Sequence, residues 1–368
     1  MRLTFSAVDT WFFRDATPFT KDASPQSGVI SLFPPHPTTV AGATRAALAL
    51  ARGWDGRSRW GAALTAVLGD GSDDLGRLQI TGPFLVRDGE RLFALPQHVV
   101  GHPDADGRFV PGALLCPGEP VASDLGCVPL PVPDRSTRAR PRMASDIWIT
   151  TRGLHQILRG ELPSADQQAH RRALWHREPR VGIAREINSR TTAEGALYST
   201  QHIRPAPGVG LAIDVAGVPA DWRLPPRSFV PLGGESRLAL CESDPAPTPF
   251  TLPAYDAYAG VLLIALTPIF LDDAIVRGSV EWSGVRVVGA CLDRPSRIGG
   301  WDSGERKPRP LRNALPAGSV LFCAIHDRAR FDSQIHHGLV RIGAATASGF
   351  GLCAVGPIPH ARTAQEAR

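Results

Sequence analysis

Lysine is nearly absent from this chain. Only Lys21 and Lys307 occur among 368 residues, so the other 38 of the 40 Lys and Arg residues are arginine. No G-x-x-x-x-G-K-[ST] motif is present, and one lysine in each half nearly excludes a phosphate-loop lysine. There is no H-E-x-x-H, no G-x-S-x-G, no C-x-x-C and no Cys/His set at zinc spacing. The segment "GFGLCAVG" lacks the third glycine of a dinucleotide fingerprint, and no helical pattern follows it. No apolar run reaches the roughly 18 residues that span a bilayer. The start "MRLTFSAVDTWFF" has no basic region followed by an apolar one. These gaps lead to the expectation of a soluble, cytoplasmic, membrane-free protein with no cofactor and no metal. The six cysteines are widely spaced, several of them in apolar runs such as "SVLFCAI", and read as buried small hydrophobes in a reducing compartment.

What is present is enough for a substantial core. At 43% hydrophobic residues the length suits two ordinary domains, or one large one with insertions. Formal charge is +5, with a sequence pI of about 9.1. Together with abundant Ala, Gly and Pro, the arginine skew mostly reports genomic base composition. Its physical consequence stands regardless, because a guanidinium fork suits phosphate oxygens and stacks on aromatic rings. A polyanionic partner is allowed.

The N-terminus alternates as a strand with Leu3, Phe5 and Ala7 on one face. "RDATPFTKDASPQSG" reads as a polar loop. Thr38 or Thr39 is expected to cap a helix whose apolar face is Val40, Ala43, Ala47, Leu48 and Ala51, with Gly53 as its stop. Gly42 inside that helix suggests close approach of another backbone. Trp60 to Leu68 reads as a short helix ending at Gly69, and Asp88-Gly89 as a hairpin turn. From about 101 to 142 the pattern dissolves into Pro, Gly and Arg. "TRGLHQILRGELP" is helical, and Ser164 with Gln167 forms a capping box for a helix over "ADQQAHRRALWHRE", closed by Pro179. The second half reads as strands separated by turns, with helix only around Asp272 and between His326 and Gly338. The domain boundary is placed at 207/208, in the Pro/Gly stretch near 205 to 210, and the tail from His360 is expected to be disordered.

For chemistry, "GDGSDD" at 69 to 74 follows a helix end and reads as a solvated loop. His336 and His337 suit metal-free acid–base cleavage of RNA, but adjacent residues entering a strand point to opposite faces. That leaves structural or surface histidines as the better reading. Two arginine-rich segments remain. "EPRVGIAREINSRTTAEGALYSTQHIR" carries Arg180, Arg185, Arg190 and Arg204 with Tyr198, in two short extended pieces around a polar middle. "PSRIGGWDSGERKPRPLR", residues 295 to 312, sets five cations (Arg297, Arg306, Lys307, Arg309 and Arg312) around Trp301 and reads as neither helix nor strand. Charge on a flexible backbone with an aromatic to stack on is what single-stranded nucleic acid asks for; solvated loops are the alternative.

Five segments occur in an order that resembles a known family: "WFFRDATPF", "LFPPHPTTVAGATRAAL", "VGIAREINSRTTAEGALY", "GGWDSGERKPRPLRNALPAGSVLF" and "ASGFGLCAVG". They resemble the RAMP proteins of CRISPR systems, with the nearest likeness to the third-subunit family of the type III-B (Cmr) effector complex. The resemblance implies an α+β fold of two ferredoxin-like, RNA-recognition-type domains, residues 1–207 and 208–368, with inserted loops and a thumb-like hairpin. It implies a non-catalytic subunit that grips the 5′ handle of the guide RNA. The large polymerase-like subunit, the backbone subunits and target RNA would lie nearby. An endoribonuclease that processes the guide precursor through His336 or His337, and a docking scaffold without RNA contact, are the alternatives. The residues nominated for RNA are Arg14, Arg45, Arg180, Arg185, Arg190, Thr191, Tyr198, Arg297, Trp301, Arg309, Arg312, Gly349, Phe350 and Gly351. The glycines of "SGFG" would let backbone approach RNA or a neighbouring domain.

Overall fold

The computed structural model describes residues 1–14, 30–123, 126–137, 141–185, 192–253, 260–271, 281–302, 305 and 307–359. The fold is mixed α/β and dominated by sheet, with 46% strand against 15% helix. Two compact units are present, each assembled from three separated stretches. One comprises residues 1–89, 171–247 and 297–311, and the other 90–170, 248–296 and 312–368. Neither coincides with 1–207 or 208–368. The strand Val209–Ala216, just past that expected boundary, pairs with Arg2–Ala7 on one side and Gln79–Arg87 on the other, all inside the first unit.

In the first unit, four antiparallel strands follow the chain as Arg2–Ala7, Gln79–Arg87, Val209–Ala216 and Leu238–Asp244. Across the sheet they lie in the order fourth, first, third, second, and Arg227–Pro231 adds an edge beside the fourth. Leu3 and Phe5 point into the core, as their alternation requires. Two helices, Pro37–Ala51 and Ala62–Leu68, connect the first two strands. The longer one starts earlier than expected: Pro37 occupies its first turn, where a missing N–H costs nothing, and no threonine caps it. Ala51 is exposed, and so is Gly42, where a Cβ would meet nothing within 4 Å; the expected backbone approach is not there. Gly69 ends the second helix with φ of 81°, and Asp88 and Gly89 form the expected turn with φ of 51° and 83°.

The capping box at Ser164 is real, but it caps a single 3₁₀ turn, Ala165–Gln167. Beyond the short strand Gln168–His170 and one helical turn, Arg171–Leu174, the chain extends at Trp175. Trp175–Arg185 and Thr192–Pro205 then form an antiparallel ribbon of their own, much longer than the two short pieces expected. Pro179 sits within this ribbon instead of closing a helix. Its root is anchored: Trp11 and Ile203 exchange backbone hydrogen bonds of 2.9 and 2.8 Å. Trp175 is buried with its ring 4.8 Å from that of Phe33, and the His202 ring stacks on Phe12 at 5.1 Å. The "WFF" of the first family segment is thus core.

In the second unit, the strands Gly260–Ala265, Val285–Cys291, Val320–Ile325 and Leu352–Pro357 lie in the order second, third, first, fourth, with Glu281–Trp282 and Leu339–Arg341 at the two edges. One face is packed by Val261, Leu263, Cys323, Phe331, Cys353 and Val355. The helix expected after His326 is Arg328–Asp332, capped by Asp327; the one around Asp272 lies outside the described residues, as does the tail from His360. The stretch that reads as dissolved is in fact a sheet: Gly126–Pro133, Phe109–Ser123, Val99–Pro103 and Arg142–Met143, in that order. On Gly126–Pro133 the prolines Pro129, Pro131 and Pro133 obey a period of two, while a register shift separates Pro117 from Pro120 on the facing strand. Pro117 stands opposite Pro131 and Pro120 opposite Pro129. Proline has no N–H for a ladder, and Gly126–Pro133, which carries three of them, is an edge strand of the sheet. Cys127 on this ribbon is exposed, against expectation, whereas the other five cysteines are buried. Among the described residues, no helix is long and apolar enough to cross a membrane.

Candidate nucleic-acid interface

At the root of the first unit's ribbon Arg180 and Arg204 are already partnered. Glu178 and Arg180 are two apart on one strand and so share a face, and Arg204 lies diagonally across from Glu178 on the other strand. Arg180 Nη2 donates to Asp9 Oδ2 at 2.6 Å, and Arg204 Nη2 donates to Asp9 Oδ1 at 2.9 Å. Both also donate to Glu178, Arg180 through Nε at 3.0 Å. Arg237 Nη1 lies 3.6 Å from Asp9. Hydrogen bonds from Arg180 hold the Asp9 carboxyl below its ordinary pKa, and those from Arg204 do the same for Glu178. Two carboxylates hold three guanidiniums, so the knot carries one net positive charge and pins the ribbon to the segment after the first strand. Sequence reasoning saw Arg180 and missed Asp9; the alternation of Glu178 with Arg180 was the available signal. Further along the ribbon, Arg185 and Tyr198 lie on its two strands, while Arg190 and Thr191 lie outside the described residues.

The described residues of the stretch 295 to 312 are paired instead of loose. Trp301–Asp302 pairs antiparallel with Lys307–Pro308, and Arg309 N donates to Gly300 O at 2.9 Å; Arg306 lies outside the described residues. Residues 297–311 belong to the first unit although the chain on both sides belongs to the second. The side chain of Arg309 explains the attachment: it pairs with Asp73 of the "GDGSDD" loop. That loop is largely exposed, as expected, but braced. Asp74 accepts from Asp70 N at 2.9 Å and Gly76 N at 2.8 Å, and Arg45 donates to the carbonyls of Gly71 at 2.7 Å and Gly69 at 3.1 Å. Trp301 itself is 60% exposed, and Arg297 is exposed too.

Several nominated residues take other roles. Arg45 is buried, committed to the two loop carbonyls and stacked 4.8 Å from the Trp60 ring; it braces the fold. Gly349, Phe350 and Gly351 are buried in the second unit. A Cβ on Gly351, whose φ is 70°, would lie 1.9 Å from the Ile342 carbonyl, so this glycine admits its own backbone and not RNA. The Phe350 ring packs 4.5 Å from Phe270, whose ring carries the Arg312 guanidinium at 4.1 Å. Arg312 is exposed and held in place by that support. Arg14 is exposed beside a β-bridge to Ser31.

The chain matches the family model described as CRISPR-associated protein (Cas_Cmr3) over residues 3–358. It belongs to this family. Among solved structures it is similar to a chain of the Type III-B Cmr-beta bound to cognate target RNA and AMPPnP, determined by cryo-electron microscopy. That match has 19% identity and a TM-score of 0.52, covering 88% of this chain and 86% of the other. A chain of the Type III-B Cmr-beta bound to cognate target RNA matches with 19% identity and a TM-score of 0.51, covering 91% and 90%. No curated protein matches.

In this Cas_Cmr3 family member, His336 and His337 are both exposed. They lie in a tight turn before Leu339–Arg341, with His336 bridged to Leu339 and His337 at φ of 56°. They do not enter a strand as expected. Among the described residues no three His, Cys, Asp or Glu side chains are grouped so as to hold a metal ion.

Proposed function

We propose that this chain is a non-catalytic subunit of a type III-B CRISPR RNA-guided effector complex, binding the 5′ handle of the guide RNA and docking the large polymerase-like subunit. The observation that carries the reading is the family match from residue 3 to residue 358. The strand order in both units, fourth–first–third–second read in either direction, supports ferredoxin-like domains. In the first unit the place of the second helix is taken by the edge strand Arg227–Pro231. The separate two-stranded ribbon of Trp175–Arg185 and Thr192–Pro205, anchored at its root, suits the thumb, with Arg185 and Tyr198 beyond the ion-pair knot. The Trp301 hairpin presents an exposed indole among cations, the combination that stacks bases and takes phosphates. Partners are then guide RNA, the large and backbone subunits, and target RNA nearby, in the cytoplasm.

The test is a titration of labelled handle RNA against the chain alone and with the large subunit, at fixed salt because phosphate contacts are salt-dependent. Tighter binding by the pair is expected, without cleavage of a repeat-containing transcript in the absence of metal. Site-specific cleavage lost on His336→Ala or His337→Ala would establish an endoribonuclease instead.

A further inference from the structure

The segment from Arg52 to Gly61, "RGWDGRSRWG", follows the long helix and holds three arginines and two tryptophans in ten residues. It is folded tightly upon itself. Asp55 Oδ1 accepts from Arg57 N at 2.9 Å, from Ser58 N at 2.8 Å and from Ser58 Oγ at 2.8 Å. Trp54 Nε1 donates to Ser58 O at 2.7 Å. The two indoles meet edge to face at 5.9 Å, and Arg45 lies over Trp60. The loop is therefore pre-organised, which lowers its own ordering cost when it meets a ligand.

Its charges are distributed unevenly between spent and unspent. The Asp55 carboxylate is taken by its own loop, that of Asp74 by backbone N–H groups, and Asp73 by Arg309. Asp70 is exposed on the same bracing loop. Arg52 lies 4.0 Å from Asp221 and over the Trp222 ring at 5.5 Å. Arg57 and Arg59 are exposed and have no ion pair among the described residues. The loop is also joined to the Trp301 hairpin by consecutive contacts: Trp60 to Arg45, Arg45 to Gly69 and Gly71, and Asp73 to Arg309.

We propose that residues 52–61 form a second contact for single-stranded RNA, with Arg57 and Arg59 on phosphates and Trp54 as a stacking ring, continuous with the Trp301 hairpin. This rests on the reading of that hairpin as an RNA contact. Uncommitted guanidiniums beside indoles on a rigid loop match a sugar–phosphate strand with unstacked bases.

The test uses the full chain and a fluorescent 12-nucleotide oligouridine, titrated at several salt concentrations. Arg57→Ala/Arg59→Ala should weaken binding and flatten the log–log salt slope by about 1.4, at roughly 0.7 per phosphate contact on a single strand. Its melting temperature should stay at the wild-type value. Trp54→Ala should weaken binding about fivefold or more. If the arginine pair variant matches wild type in affinity and slope while Trp301→Ala weakens binding, the loop is no RNA contact and the hairpin reading survives. If both match wild type, both readings fail; if wild type leaves the probe unbound, residues 52–61 are no RNA contact of the chain and the handle titration with the large subunit decides the hairpin.

Discussion

In one stretch of this chain, Gly299 and Gly300 precede Trp301, which is 60% exposed; in another, Gly349 and Gly351 flank Phe350, which is fully buried. On paper the two are alike, a ring next to glycine in a family segment. Phe350 lies between the strands Leu339–Arg341 and Leu352–Pro357, whose apolar residues line a core on either side of it. Trp301 lies among Asp302, Lys307, Pro308 and Arg309, which provide no core. Glycine permits close approach; the flanking residues decide what approaches. At Gly351 it is the chain's own Ile342 carbonyl. At Trp301 the indole is 60% exposed and, among the described residues, no core closes over it; the proposed function gives that face to an outside partner.

The sharpest way to break this comparison is to truncate both rings. Phe350→Ala should cost about 3–5 kcal/mol of unfolding free energy, the range for removing a buried phenylalanine, as measured by urea denaturation. Guide affinity per folded molecule should be retained. A mild stability loss with weakened RNA binding would show that Phe350 faces a ligand.

The same contrast separates the histidines. His336 and His337 are exposed, whereas His98 is fully buried and, among the described residues, neither of its ring nitrogens has a hydrogen-bond partner. Burial pushes the His98 pKa down to about 3 and that of His36 to about 4. Both groups fold as neutral rings, and the unfolded chain binds their protons more readily. Their contribution is therefore intact above the ordinary histidine pKa of about 6.5 and is lost as pH falls toward 3 to 4. Melting temperature should drop across that window, and His98→Leu should shallow the drop. An unchanged slope would show that His98 already gains its proton in the folded state.

How much of this was legible depended on whether a pattern was local. The turn at Asp88-Gly89, the helix stop at Gly69 and the alternation of Leu3 and Phe5 follow from short-range rules, and the structure has them. The edge strand "CVPLPVP" was hidden because proline reads as a breaker, although prolines at every second position can face away from the ladder. The helix expected over "ADQQAHRRALWHRE" lost to tertiary packing that extends the chain at Trp175, where the ring is needed against Phe33. At the candidate site, Trp301 and Arg312 were legible as exposed groups. Arg45 was not, because its partners Gly69, Gly71 and Trp60 are set by the fold and leave no trace in spacing. The pairing of Arg309 with Asp73 spans 236 positions and was equally invisible.

The smallest free-energy change here is the most telling. Loss of a base stacked on an aromatic ring costs roughly 1–3 kcal/mol, so Trp301→Ala in the complex reconstituted with the large subunit should weaken handle-RNA affinity by about fivefold or more while the melting temperature holds. Measuring handle affinity, large-subunit affinity and thermal stability on that one variant tests the account directly. The expected result is weakened handle affinity with stability intact. A lower melting temperature with both affinities unchanged would contradict it, showing Trp301 to be part of the chain's own packing.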